Sequence, residues 1–271
     1  MSILIACALT AGCITEKPVN ITEVQNCLTT SVSNEVFAGN NSQALTYLDA
    51  ALTLNSTDPG LWAQSGALLM NTGESDEAIA AYDRALSLDP GNASIRTSRA
   101  IILAATNQTE EASKELEEVI RDNSKFSPAY TALAKIRSDE GRDEDALALY
   151  DNASNISPNL PSIWVAKAEI SMKVKRYNEA AVSYDNALKL DKNDAESWRA
   201  LGDLLRYSRR YAEAAVAYGR FNSLNPDNLE EQKIEADLLF RSMKYDQAAE
   251  KYSMLFDKNQ NDPDILVKYA K

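Results

Sequence analysis

One small residue returns every 34 positions along this chain, and that return leaves little freedom in what it can fold into. Ala44, Ala78, Ala112, Ala146, Ala180, Ala214 and Ala248 keep the interval without an insertion or deletion. The frame divides the sequence into seven repeats, 25–58, 59–92, 93–126, 127–160, 161–194, 195–228 and 229–262, with a partial eighth at 263–271. A period of this length marks an array of small supersecondary units, each burying its apolar face against its neighbours.

Other places in the frame say what each unit is. The eighth place carries Val32, Gly66, Ala100, Ala134, Ala168, Gly202 and Ala236, and the fourth carries Trp62, Tyr130, Trp164 and Trp198 among others. The twenty-fourth is Tyr82, Tyr150, Tyr184, Tyr218 and Tyr252 in five of the seven. Small residues at the eighth and twentieth places let two helices approach closely, and large ones at the fourth and twenty-fourth fill the space beside that contact. Gly39, Gly73 and Gly141 stand where a first helix would end in a left-handed cap. Ser75, Thr109 and Asp143 stand where a second helix would take its N-cap. With only nine Gly and eight Pro, the chain favours long helices and short connections. The fold class is all-α.

The spacing, with Trp, Gly, Ala, Tyr, Ala and Pro in their places, resembles the tetratricopeptide repeat family over 25–271, about nine-tenths of the chain. The resemblance implies a right-handed superhelical solenoid of helix-turn-helix units whose first helices line a concave groove. The match is weakest in repeats one and three, where Arg96 replaces the aromatic and Ser124 the closing proline. Those repeats are expected to be helical but less tightly packed.

In that geometry the second, fifth, ninth, twelfth and thirteenth places face the groove. Repeats two and three then present Ala63, Ala67, Met70, Thr97 and Ile101. Repeats five to seven present Glu169, Lys173, Arg199, Asp203, Arg206, Lys233, Asp237 and Arg241. This reads as a two-zone peptide groove, apolar and hydroxylic in one part and charged in the other. The plainer reading pairs Arg199 with Asp203 and Lys233 with Asp237, one helical turn apart, for little gain. Chaperone-adaptor members of the family clamp a terminal carboxylate with Lys and Asn at the fifth and ninth places. No repeat carries that pair here, so such an adaptor role is not expected.

The turns of repeats five to seven add Lys173, Lys175, Arg176, Arg209, Arg210, Arg241 and Lys244, which stacking would gather into a basic ridge. That ridge could meet lipid head groups or an acidic partner, or its cations could simply offset helix dipoles.

Composition removes much else. There is no histidine, so His-based acid–base work, His triads and His-ligated metals are excluded. Cys7, Cys13 and Cys27 form no CxxC pair, and neither a metal site nor a disulfide framework is expected. The net charge of −12 argues against nucleic acid as a partner. No catalytic residue, cofactor or metal is expected.

The first residues, 1–24, read as a signal-like segment and linker. MSILIACALTAG is too short to span a bilayer and suits a secretory apolar stretch. Leu9-Thr10-Ala11-Gly12-Cys13 resembles a prokaryotic, archaeal or bacterial, lipoprotein processing site, with Cys13 as the lipidation candidate, although Thr10 departs from the usual aliphatic residue and no Lys or Arg precedes it. An ordinary cleaved signal and a cytosolic tail stay open. The matching locations are an exported, membrane-anchored or cell-surface protein and, for the tail, the cytoplasm.

Asn20, Asn40, Asn55, Asn92, Asn107, Asn152 and Asn155 head N-x-S/T sequons, all before residue 160, which would fit a glycosylated surface protein. Because turns and caps favour the same residues, they also have a structural explanation. Lys271 falls part-way through a first helix, so either the native chain runs on or this end docks on another copy or partner. The expected function is a scaffold holding an extended peptide or a partner helix from another protein. A rigid spacer, or the repeat region of a longer protein with no groove ligand, is the alternative.

Overall fold

The computed structural model describes residues 21–258; Cys13, Asn20 and the partial eighth repeat lie outside them. Fourteen α-helices and no strand occur among the described residues. They are α1 (Ile21–Phe37), α2 (Asn41–Leu54), α3 (Pro59–Thr72), α4 (Ser75–Leu88), α5 (Ala93–Ala105), α6 (Thr109–Asp122) and α7 (Ser127–Asp139). The chain continues through α8 (Asp143–Ile156), α9 (Pro161–Lys173), α10 (Tyr177–Leu190), α11 (Ala195–Tyr207), α12 (Tyr211–Leu224), α13 (Leu229–Arg241) and α14 (Tyr245–Lys258). From α2 on, every start lies 34 residues from its counterpart in the next repeat. The chain forms two compact bodies, one through Ile136 and one from Arg137 onward.

Within each body successive helices pack as antiparallel hairpins, and each hairpin packs on the next, the arrangement of a helical solenoid. The repeated alanine is the centre of that packing. All seven are 0–1% exposed, which leaves no room for a larger side chain at the crossing. In repeats two and six the eighth-place glycine lies against the ring of the twenty-fourth-place tyrosine. A Cβ on Gly66 would stand 2.6 Å from Tyr82, and one on Gly202 would stand 2.8 Å from Tyr218.

Each first helix ends in the same six-to-one closure. Glu74 N–H donates to Leu69 C=O at 2.9 Å, Arg210 to Leu205 at 2.8 Å, and the other five repeats match. The closure needs a left-handed residue at place fifteen. Gly39, Gly73 and Gly141 supply it as expected, with φ of 76° to 86°. Asn107, Lys175, Arg209 and Met243 adopt the same conformation, with φ of 60° to 65°.

The capping expectation is corrected. Ser75, Thr109 and Asp143 are the first residues inside their helices, and Glu74, Gln108 and Arg142 at the cap positions make no side-chain cap bond. The six-to-one closure already delivers the chain into the second helix, so a cap is less needed there. Side-chain caps instead open first helices, where a loop must restart the chain: Asp58 accepts from Gly60 and Leu61, Asn92 from Ile95, Asp194 from Ser197 and Asn228 from Glu231.

The expectation of looser packing in repeats one and three also fails. Leu28, Leu48, Ala100, Ile102, Leu103 and Leu116 are 0–2% exposed. Arg96 replaces a ring with ion pairs, reaching Glu118 at 2.9 Å and Asp122 at 3.1 Å on α6. Cys27 is disulfide-bonded, a cross-link that cysteine spacing gave no reason to expect. Among the described residues no helix is long and apolar enough to cross a membrane.

Candidate functional site

In five of the seven repeats the fourth place ties the start of the first helix to the loop before it. Trp62 Nε1 donates to Ser56 C=O at 2.9 Å, Trp164 to Pro158 at 2.8 Å and Trp198 to Lys192 at 3.0 Å. The Tyr130 hydroxyl donates to Ser124 C=O at 3.2 Å and Gln232 Nε2 to Pro226 C=O at 2.7 Å. In these five repeats a long donor six residues beyond a loop carbonyl thereby ties the loop to the first helix that carries the candidate groove residues.

In the second body, the first-helix residues singled out from sequence form a charged face. Arg206 donates to Asp203 at 2.8 Å, and the Tyr218 hydroxyl, from the second helix of the same repeat, donates to the same oxygen at 2.8 Å. Arg199 pairs with Glu196 at 2.8 Å rather than closing on Asp203. Lys233 reaches Glu230 at 3.0 Å, and Asp237 accepts from the Tyr252 hydroxyl. For Arg199 the expected one-turn pairing gives way to a pair three residues apart, while Asp203 is shared between Arg206 and Tyr218.

Arg241 lies over the Tyr211 ring at 5.7 Å. Lys173 points to Ser138 at 2.7 Å and lies 3.7 Å from Asp143. Glu169 is exposed beside an open hollow of about 510 Å³ with Val165, Ala166 and Asp194.

Electrostatics follow from burial. Burial pushes the Tyr184 hydroxyl up to about 12, helped by the charges of Glu169 and Asp194. Burial also raises Tyr218 and Tyr252, and their bonds to Asp203 and Asp237 add to it. Glu231, on α13, is held above the usual carboxylate range by burial first and by the charge of Asp203 second, against Arg199 and Arg206. Its Oε2 is buried and meets no hydrogen-bond donor. Sequence reasoning missed Glu231 and the tyrosine locks; the fixed offset of fifteen residues from Asp203 to Tyr218 and from Asp237 to Tyr252 was the available signal.

In the first body Ala67 and Ile101 are exposed and Ala63 and Met70 half-buried, a neutral face. Thr97 departs from expectation. It is 4% exposed and its hydroxyl is buried without a partner, so it belongs to the wall and cannot contact a ligand directly.

The described sequons occupy caps, turns and α8. Asn40, Asn107, Asn152 and Asn155 are exposed. The Asn92 side chain is engaged with Ile95 and Asp89, and Asn55 with Thr57. Among the described residues no group of three or more His, Cys, Asp or Glu side chains could hold a metal ion.

Comparison with known proteins gives the family. Tetratricopeptide repeat descriptions match residues 32–93, 73–136 and 165–220, and the chain belongs to the tetratricopeptide repeat family. The C-terminal part of a TPR repeat-containing protein from Cytophaga hutchinsonii is similar in structure, with a TM-score of 0.63 and 11% identity over 89% of this chain and 98% of that one. PilF of Pseudomonas aeruginosa gives 0.58 and 19%, over 78% and 95%. YrrB gives 0.55 and 15%, over 70% and 98%. At these identities the likeness shows the fold. No curated protein matches the chain. The family serves generally as a scaffold for protein interactions.

Proposed function

We propose that the first-helix faces bind an extended segment of a partner protein, without catalysis. The observation that carries this reading is the charged face of α11 and α13. Asp203 is fixed by two donors, so its carboxylate is held in place before any ligand arrives. The exposed Arg199 and Arg206 beside it would meet acidic or carbonyl groups of such a segment, and side chains held in place beforehand lose little entropy on binding. The neutral face of α3 and α5, with Ala67, Met70 and Ile101, would suit apolar side chains of a ligand. YrrB is described as a TPR protein with an unusual peptide-binding site, which makes a groove ligand a reasonable expectation for this architecture.

The pairs Arg199–Glu196 and Arg206–Asp203 satisfy one another, which is what a rigid spacer would also need. Photo-cross-linkers placed at Ala67 and Arg206, followed by mass spectrometry, decide between the two. Binding predicts discrete peptide adducts at one or both positions, and loss of affinity for the captured peptide in Arg199→Ala and Arg206→Ala. Adducts absent from both positions would favour the spacer.

A further inference from the structure

The loop edge of the second body carries a second surface that the groove does not use. In repeats five to seven the turns between first and second helices are stacked by direct contacts. Tyr177 meets Tyr207 edge-on at 5.2 Å, and Tyr211 meets Arg241 at 5.7 Å. Place fifteen, left-handed in each turn, is Lys175, Arg209 and Met243, all exposed.

The surrounding cations divide into two groups. Arg176 is neutralised by Glu144 and Arg210 by Glu213. Among the described residues Lys175, Arg209 and Lys244 have no carboxylate partner. Between them stand large apolar or amphipathic side chains that the fold leaves in water: Met243 is 77% exposed, Tyr207 71% and Tyr245 55%.

We infer that this edge docks on an anionic membrane surface. A row of protruding side chains encloses nothing, so it fits a flat or yielding partner better than a small molecule or a single peptide side chain. Tyrosine, with an apolar ring and a polar tip, suits the interface between head groups and acyl chains, and methionine adds a flexible apolar tip. Unneutralised lysine and arginine beside them complement anionic head groups. The chain as a whole carries −12, which repels such a surface at long range and makes the contact sensitive to salt.

The test is co-sedimentation of the full chain with vesicles of phosphatidylcholine alone and of phosphatidylcholine with phosphatidylserine. Binding to the phosphatidylserine vesicles at low salt is expected, with little to the neutral ones. Lys175→Glu, Arg209→Glu and Lys244→Glu combined should weaken it about tenfold or more. Tyr207→Ser with Met243→Ser should weaken it on a background of unchanged charge. Melting curves confirm that the variants fold, since all five side chains are exposed.

The proposal fails if the wild-type chain ignores anionic vesicles, or if the triple variant binds them equally. It fails also if polyglutamate, but no vesicle, is held by this edge, which would make the partner an acidic protein. Groove cross-linking at Ala67 and Arg206 is independent of either result.

Discussion

Gly202 faces the ring of Tyr218 so closely that a Cβ would lie 2.8 Å from Cδ2, inside any real contact distance. Gly202→Ala must therefore push ring or helix aside. Repeats five and seven accommodate Ala168 and Ala236 at the same place, beside Tyr184 and Tyr252, so the backbone can adjust. The expected loss is at the lower end for overpacking, about 1 kcal/mol. Urea unfolding of Gly202→Ala, Tyr218→Leu and the double variant measures it. The alanine should cost much less once the ring is gone, and strict additivity would mean the contact is not the cause.

The left-handed turn gives a prediction of opposite sign. Lys175, Arg209 and Met243 hold φ near 60° with a Cβ that disfavours it. Glycine removes that strain but adds freedom to the unfolded chain, for a net gain of about 0.5–1 kcal/mol per site. Arg209→Gly should raise the urea midpoint, and Gly73→Ala should lower it. A lower midpoint for Arg209→Gly would mean the side chain itself holds the turn.

That turn also marks how far the sequence could be read. The frame of Ala44 to Ala248 determines helix pairing, because a residue with no tolerance for size at a crossing returns at a fixed interval. Gly73 announces its turn by residue type, whereas Arg209 adopts the same conformation only because the closure on either side demands it. The ion pairs were less legible. Arg199 can reach Glu196 or Asp203 along one helix and takes Glu196, while Asp203 is met by Arg206 and by a tyrosine hydroxyl arriving from the next helix, a contact no single-helix spacing announces. Thr97 fails as a groove residue for a related reason: its place in the frame suggests an outward position, but the neighbouring side chains cover it.

Stability should fall steeply in alkali. The Tyr184 hydroxyl has an ordinary value of 10.0 and is pushed up to about 12 in the fold, chiefly by burial. Below 10 both folded and unfolded chains keep the proton, and the stabilisation is complete. Between 10 and 12 the unfolded chain ionises first, so stability is lost as pH rises through that window. Tyr218 and Tyr252, raised in the same direction, add to the loss. Urea midpoints from pH 9 upward should drop, and Tyr184→Phe should flatten part of the drop (it has no proton to lose). An unchanged slope in Tyr184→Phe would place the sensitivity elsewhere.

The final prediction concerns Arg99, which lies between repeats two and three. It reaches Asp83 at 2.6 Å in the preceding repeat and Glu115 at 2.7 Å in its own, and the Glu115 side chain is only 12% exposed. Repeat seven inverts the arrangement at the same places: Glu235 meets Lys251 at 2.8 Å, and Gly219 replaces the acid of the preceding repeat. Charge at this junction is therefore matched by pair, not by sign. Asp83 and Glu111 are more than half exposed and contribute little, so most of the coupling resides with Glu115. Arg99→Met leaves that carboxylate with only the more distant Arg96, at 3.8 Å, and should cost about 1–3 kcal/mol at neutral pH. Burial already raises the Glu115 carboxyl, and Arg99 is the main influence holding it down. Without Arg99 the folded chain takes up the proton at higher pH than the unfolded chain does. The loss should therefore shrink as pH falls, and Arg99→Met with Glu115→Leu should recover most of it at neutral pH. A pH-independent loss, or none recovered by the double variant, would make Arg99 a packing residue whose charge is incidental.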